Sequence, residues 1–146
     1  MKKFFKGVLI IGLIYLFVSF LYVIFQSEKP PEKEFIAEDY IEEFDYESLA
    51  RTPDEFKGNK IKFIGEIIQV AESGKRSALR VMINNDYDEI VFCNYNTDNL
   101  SFHLLEHDTV IIYGTYTGLY TYTSIFKQKI TIPGFNVDSI ELVHLS

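Results

Sequence analysis

The sequence predicts a mainly β protein, a five-stranded barrel preceded by short helices and by an N-terminal transmembrane helix. An uncharged apolar run at residues 7–25 predicts the membrane helix. Beyond residue 59, apolar and polar residues alternate in short runs separated by polar turns, which is typical of β-strands. Gly65 interrupts the first and longest of these runs, and a mid-strand glycine indicates a sharp bend of the kind that a small closed barrel needs.

The apolar run at 7–25 has nineteen residues, close to the roughly 20 that cross a bilayer as a helix. A cleaved signal peptide remains an alternative, because lysines precede the run. The run exceeds the apolar core of a signal, about 7–15 residues, and lacks a small-residue cleavage site, so an uncleaved signal anchor is favoured. We therefore assign residues 1–6 to a cytoplasmic basic tail and 26–34, with Pro30 and Pro31, to a linker.

Charge predicts the orientation of this anchor. Lys2, Lys3 and Lys6 precede the span, and cytoplasmic flanks favour lysine and arginine. We expect a single-pass protein of the cell membrane with its N-terminus in the cytoplasm and its C-terminal domain outside. The net charge is −7, and residues 7–146, which lack the three N-terminal lysines, carry −10, so the outer part would repel a polyanion. Cys93 is the only cysteine, which excludes an internal disulfide and leaves no thiol near the span for a lipid.

Residues 35–58 are predicted to form a helical lead-in to the barrel. Apolar residues spaced on one face predict a helix over residues 35–44, which continues after Asp45 into residues 46–51. Thr52 and Glu55 have the spacing of a capping box, and Pro53 suits the first helical position. Gly58 is expected to end this short helix in the left-handed conformation.

Residues 59–146 are predicted to form the barrel. Alternation places its strands at 59–71, 78–83, 90–95, 109–116 and 137–144, with a short helix at 100–105 in the connector between the third and fourth. The alternation slips near Ile67 and Ile68, which indicates a β-bulge. Pro133 cannot donate to a β-ladder and so marks an edge or a break.

This order of elements is that of an OB-fold. Several runs resemble OB-fold domains of the tRNA-anticodon-binding-like type: the entry segment "YESLARTPDEFKGNKIKFIGEIIQV", the turn "LLEHDTVIIYG" and the closing "ITIPGFNVDSIEL". The run "GTYTGLYTYTSI…ITIP" resembles the closing hairpin of those domains. Such domains occur in small exported or membrane-anchored proteins of Gram-positive bacteria. The resemblance covers about Asp45 to Leu142 and implies the fold more than a function. His107 departs from it, because the pattern prefers glycine at that position.

The segment Gly114–Phe126 is rich in threonine and tyrosine, and two interpretations stand. Both residue types are favoured in strands, so the tyrosines can be structural. Exposed tyrosines at a barrel mouth would instead bind a ligand by stacking. The candidate ligand-binding residues are Tyr113, Tyr116, Tyr120, Tyr122, Lys127 and Lys129.

The leading functional hypothesis is a membrane-anchored, non-enzymatic binding module for a protein, a peptide or a cell-wall glycan. The alternative is a single-stranded nucleic acid, which would need a basic groove beside the aromatic residues and is disfavoured by the net negative charge. The cations available for such a groove are Lys60, Lys62, Lys75, Arg76, Arg80, Lys127 and Lys129.

A third hypothesis is a metal-dependent hydrolase. "HLLEH", residues 103–107, matches the H-x-x-E-H zinc motif, and on a helix His103 and His107 would share a face with Glu106 nearby. Asp108 ends that helix at once, and the strands that follow offer no helix for a third ligand. Cys93 has no histidine beside it in sequence. We therefore expect no catalytic residue, no metal and no cofactor.

Overall fold

The computed structural model describes residues 15–19 and 34–143. Residues 15–19 are helical and belong to the unit Met1–Glu34, whereas the barrel and its lead-in form a second compact unit, Phe35–Ser146. The predicted basic tail, most of the predicted membrane span and all of its linker except Glu34 lie outside the described residues. Within the described ranges, no helix has the length and apolar character required to cross a bilayer.

The helix predicted over residues 35–44 is wrong. Only Ala37–Asp39 form a helical turn, of the 3-10 type, and the chain then runs extended. Ile41 forms a parallel bridge with Ile61: its N–H donates to the Lys60 carbonyl at 3.0 Å, and its own carbonyl accepts from Lys62 N–H at 2.9 Å. These hydrogen bonds with the barrel satisfy the backbone, so the segment does not need a helix to do so.

The two short helices that follow are α1, Tyr46–Arg51, and α2, Pro53–Phe56. Asp45 caps α1 by accepting from Ser48 N–H at 2.9 Å. The capping box predicted at Thr52 does not form, because the Thr52 hydroxyl donates to the Ser48 carbonyl, at 3.1 Å. Gly58 follows α2 with a φ of +91°, which confirms the predicted left-handed position.

Five strands close a barrel in the order β1-β2-β3-β5-β4. All neighbours are antiparallel except β3 and β5, which run parallel. The strands are β1, Lys60–Ser73; β2, Arg76–Ile83; β3, Ile90–Asn96; β4, Thr109–Thr123; and β5, Lys129–Leu142. Their inward-facing side chains, with Leu49 of α1, make one core, and the core residues all lie between Tyr40 and Ile140.

The bend of β1 has the causes that the sequence indicated. The register between β1 and β2 shifts between Ile67 and Gln69, which confirms the predicted bulge. At Gly65 the neighbouring strand lies so close that an added Cβ would sit 2.5 Å from Val81 Cγ1 and 2.6 Å from the Met82 carbonyl oxygen. Only glycine lets β1 and β2 approach this closely.

The last two strands are much longer than predicted, since β4 was expected to end at residue 116 and β5 to begin at 137. Beyond Tyr116, β4 pairs only with β5, and before Gly134, β5 pairs only with β4. Residues 117–133 therefore form a two-stranded extension, which we call the arm. Gly118, with φ +99° and a register shift beside it, bends the arm. Pro133 lies in the arm, in agreement with the predicted edge position.

The connector between β3 and β4 has no α-helix, so the helix predicted at residues 100–105 is wrong. A 3-10 turn, Thr97–Asn99, follows β3, and residues 100–108 are irregular. Leu104 is buried in the core. The backbone near His107 pairs with β1 instead of forming a helix: His107 N–H donates to the Ile67 carbonyl at 2.8 Å, and Ile67 N–H donates to the Asp108 carbonyl at 2.9 Å.

Candidate ligand-binding face

Tyr116 lies inside the protein. It is 1% exposed, and its hydroxyl donates to the Leu49 carbonyl at 2.7 Å, which ties β4 to α1. Its ring packs against Phe135 with the centroids 5.3 Å apart. Burial raises the pKa of this hydroxyl above its ordinary value. In this position Tyr116 stabilises the fold, and its side chain is too buried to bind a ligand.

Tyr113 lies on the outside of the barrel but beneath the lead-in segment. It is 5% exposed, because Phe35 and Tyr40 cover it with edge-to-face ring contacts of 5.1 and 5.4 Å between centroids. The Tyr40 hydroxyl in turn donates to Asp138 at 2.9 Å. Tyr113 is thus part of an aromatic cluster with Phe35 and Tyr40 that packs the lead-in segment against β4. It does not lie beside the other tyrosines of its strand.

Tyr120 and Tyr122 come together on the arm, at a different place. The arm folds over the outer face of β2 and β3, where the Tyr120 ring stacks on Phe92 with a centroid distance of 3.8 Å and an interplanar angle of 9°. Tyr122 lies next along the arm, 6.2 Å from Tyr120. A guanidinium nitrogen of Arg80 donates to the Tyr122 hydroxyl at 2.6 Å, and the group lies 5.6 Å from the centroid of that ring.

The register of the strands explains why Arg80 and Phe92 lie side by side beneath the two tyrosines. Arg80 of β2 pairs with Gln69 on one side and with Phe92 on the other, so the three side chains form one row on the outer face. Tyr120 and Tyr122 cover this row from above. The result is a cleft of about 140 Å³, which we call the aromatic cleft, lined by Gln69, Ala71, Ala78, Leu79, Arg80, Phe92, Tyr120 and Tyr122. The Nε–H of Arg80 is buried and finds no acceptor among the described residues.

A second, open groove adjoins the aromatic cleft. Ala78 of the cleft pairs directly with Asn94, which pairs with Asn136 of β5, so the two surfaces are continuous. This asparagine groove has a volume of about 630 Å³. Its lining consists of Lys75, Arg76, Ser77, Asn94, Tyr95, Asn96, Asn136 and Val137. The exposed amides of Asn94, Asn96 and Asn136 offer both hydrogen-bond donors and acceptors.

The charge of this face differs from that of the protein as a whole. Although the sequence contains 21 acidic residues, no carboxylate of the described part of the chain lines the aromatic cleft or the asparagine groove. Lys75 pairs with Asp98 at 3.0 Å. Arg76 and Arg80 have no carboxylate of the described residues within salt-bridge distance. The face is therefore locally positive.

Lys127 and Lys129, proposed as partners of the tyrosines, lie elsewhere on the arm. Lys129 pairs with Thr123, whereas Tyr122 pairs with Ile130, so the alternation of the strands puts Lys129 on the opposite face of the arm from Tyr122. Lys127 occupies the turn at the tip, with φ +60°. The arm thus separates its tyrosines from its lysines.

The residues considered for catalysis are not assembled for it. His103, Glu106 and His107 lie in irregular chain instead of on a helix, and within residues 34–143 no three metal-ligating side chains cluster. His107 Nδ1 lies 2.9 Å from a Glu66 carboxylate oxygen, and this hydrogen bond raises the histidine pKa. Cys93 is buried in the barrel, and burial raises the pKa of its thiol. A thiol in this state is a poor nucleophile.

Sequence reasoning missed Phe92 and the asparagines. The alternation of β3 contained the signal, because Phe92, Asn94 and Asn96 fall on the face opposite to Val91, Cys93 and Tyr95. Arg80 was considered only as one cation among seven. Its contact with Tyr122 depends on how the arm folds back across β2. No local sequence pattern predicts that these two side chains come within hydrogen-bond distance.

The strand order, with the parallel β3–β5 pair, defines an OB-fold barrel. No protein-family model matches the chain, and no curated protein matches it. Among solved structures, a Leishmania major protein assigned as an aspartyl-tRNA synthetase matches with a TM-score of 0.52 and 13% identity over 80% of this chain. The match spans 23% of that protein's length, and at this identity it concerns the fold alone.

A mitochondrial single-stranded DNA-binding protein of S. cerevisiae also matches, at 14% identity over 60% of this chain and 95% of its own. Its TM-score of 0.39 is too low to indicate a shared fold. The strand order and the match to the Leishmania major protein support the OB-fold that the sequence predicted. Membership of the exported Gram-positive proteins stays a prediction.

Proposed function

We propose that the barrel binds a single-stranded oligonucleotide across the aromatic cleft and the asparagine groove, without transforming it. The observation that carries the proposal is a carboxylate-free face, with Arg80 set among Tyr120, Tyr122 and Phe92, on an otherwise acidic protein. Barrels of this fold bind oligonucleotides and oligosaccharides with strands 2 and 3 and with the loops between strands 1–2 and 4–5. The cleft and the groove occupy that region.

Each group on this face has a chemical role in the proposal. The rings of Tyr120 and Tyr122 provide stacking surfaces for bases, and stacking is tolerant of sequence. Arg76 and Arg80 attract phosphates, because neither guanidinium has a carboxylate of the described residues within salt-bridge distance. The amides of Asn94, Asn96 and Asn136 suit the edges of unstacked bases.

The local charge changes the order of the two hypotheses drawn from the sequence. A protein, peptide or glycan partner was preferred because the net negative charge repels a polyanion and because the barrel is expected outside the cytoplasm. Repulsion between exposed charges falls off within a Debye length, about 8 Å at physiological salt. A ligand lying on this face therefore meets Arg76 and Arg80 before it meets the carboxylates on the remainder of the surface.

We further propose that residues 7–25 anchor the barrel in the cell membrane, with the N-terminus in the cytoplasm and the barrel outside. The uncharged length of the run and the three lysines before it support this part of the proposal. The barrel would then bind the oligonucleotide at the cell surface. A cleaved signal would leave the barrel outside the cell but free of the membrane.

Fluorescence anisotropy tests the binding. The probe is a labelled oligothymidylate of about twelve nucleotides, and the protein is the fragment 35–146, which contains the whole described core. We expect binding that weakens steeply with salt. Tyr120→Ala should weaken it about tenfold, because each stacked base contributes about 1–3 kcal/mol. Arg80→Gln should weaken it and lower the salt slope by about one.

Two off-site variants control this test. Tyr87→Ala removes an exposed tyrosine in the β2–β3 turn, and Arg51→Ala removes an exposed cation of α1 that lines neither the cleft nor the groove. Both should bind as the parent fragment does. Absence of binding at low salt would contradict the proposal, and so would equal losses in the control variants. Binding of a neutral oligosaccharide with no salt dependence would favour the glycan hypothesis instead.

A further inference from the structure

The tip of the arm exposes two large apolar side chains. Ile125 is 92% exposed and Phe126 is 79% exposed, the highest values among the large hydrophobic residues of the barrel unit. They lie in the turn between β4 and β5, next to each other. Neither contributes to the core or to the aromatic cleft. Exposed residues of this size at the end of a projecting hairpin indicate contact with an apolar phase or partner.

The charges around this pair favour one kind of partner. Between Asp108 and Asp138 the chain has no carboxylate, and its only charged residues there are Lys127 and Lys129. Both lysines are exposed, beside the tip, and neither forms an ion pair with the described carboxylates. Apolar side chains flanked by lysines match the surface of an anionic bilayer, where the apolar groups enter the interface and the ammonium groups meet lipid phosphates.

We propose that the tip of the arm, Ile125 and Phe126 with Lys127 and Lys129, inserts into the surface of an anionic lipid bilayer. The four residues differ from those proposed to bind the oligonucleotide, so the two sites are independent. Two apolar side chains and two lysines bind lipid weakly on their own. The anchor predicted at residues 7–25 would raise the local lipid concentration, since the linker 26–34 reaches at most about 30 Å when extended.

A tryptophan placed at the tip tests the proposal. The protein has no tryptophan, so Phe126→Trp gives the fragment 35–146 a single fluorophore at the tip. With vesicles of phosphatidylglycerol and phosphatidylcholine we expect a blue shift of its emission and quenching by lipids brominated on the acyl chains. Lys127→Gln with Lys129→Gln, added to this variant, should lower the partition coefficient about twenty-fivefold, since each lysine near such a surface contributes about fivefold.

The matched control is Tyr87→Trp, which places the fluorophore at the exposed β2–β3 turn, beside Asp86, Asp88 and Glu89. Its emission should not change with vesicles. An equal shift in this control, or no shift at the tip, would overturn the proposal. A tip shift produced by the oligonucleotide alone would assign the tip to the nucleic-acid site. A shift produced by raising protein concentration without lipid would assign it to contact between copies of the chain.

Discussion

At the scale of single residues, the tyrosines of β4 have different roles, because the backbone places their side chains in different environments. Tyr116 points inward and is hydrogen-bonded to α1. Tyr113 points outward and is covered by the lead-in segment. Tyr120 and Tyr122 lie over the outer face of β2 and β3. A buried hydroxyl must find an acceptor, whereas a half-exposed ring keeps a surface for stacking. Residue type alone does not distinguish the two situations.

Replacing Tyr116 by phenylalanine tests its structural task. The change keeps the ring and removes the hydrogen bond to the Leu49 carbonyl, which lies in a buried region. We expect the free energy of unfolding of the fragment 35–146 to fall by about 1–2 kcal/mol, because an acceptor is left unsatisfied. Urea denaturation measures this. Tyr87→Phe, at a residue 73% exposed, should change stability by less than about 0.5 kcal/mol. Equal effects would contradict the assigned role.

At the scale of elements, the barrel closes because β1 bends at Gly65. Gly65→Ala places a methyl group 2.5 Å from Val81 Cγ1 and 2.6 Å from the Met82 carbonyl oxygen, and one of those contacts is with backbone. We expect the free energy of unfolding to fall by about 3 kcal/mol, the upper range for overpacked sites. Urea denaturation of the fragment gives the value.

The control for this change is Gly74→Ala in the turn between β1 and β2. Gly74 has φ +67° and no atom within 4 Å of an added Cβ, so alanine there meets only backbone strain, about 1–2 kcal/mol. The difference between the two variants separates the clash from the strain. A smaller loss at Gly65 than at Gly74 would show that the two strands can move apart freely.

The elements that the sequence predicted well are those whose signals are local. Gly58, the bulge near Ile67 and the strands β2 and β3 follow from turn residues and alternation over a few positions. The helix predicted over residues 35–44 failed because Ile41 found hydrogen-bond partners in β1, which no helical spacing can reveal. The resemblance implied a closing hairpin where the arm lies, which the pairing of β4 with β5 confirms. Alternation alone ended the fourth strand at residue 116, because Gly118 and Pro133 look like strand ends when the pairing of their strands is unknown.

The candidate site was predictable only in part for the same reason. Tyr120 and Tyr122 stood out by composition, but their neighbours Arg80 and Phe92 lie 42 and 28 positions away from Tyr122 and Tyr120 respectively. The row that joins these residues exists once β2 and β3 pair and the arm folds over them. Tertiary structure, and not local pattern, determines this part of the site.

At the scale of the whole molecule, the distribution of charge matters more than its sum. Carboxylates exceed cations by seven, yet none within residues 34–143 lines the aromatic cleft or the asparagine groove, and the chain from residue 109 to 137 has no carboxylate. An acidic surface elsewhere keeps like-charged ligands away from it. A face free of carboxylates and a tip with two lysines then direct anionic partners to two defined places, one for an oligonucleotide and one for lipid.

The predicted orientation across the membrane is testable by cysteine labelling, because the native thiol is expected not to react with the label. Cys93 is the only cysteine, it is buried, and its raised pKa leaves little thiolate. Cysteines introduced singly into the full chain should therefore react alone with a membrane-impermeant maleimide. We expect Tyr87→Cys to be labelled on intact cells and Lys3→Cys only after lysis, because lysines before a span favour the cytoplasmic side. The reverse pattern would place the barrel inside the cell, and labelling of the unsubstituted protein in intact cells would show that the barrel had opened.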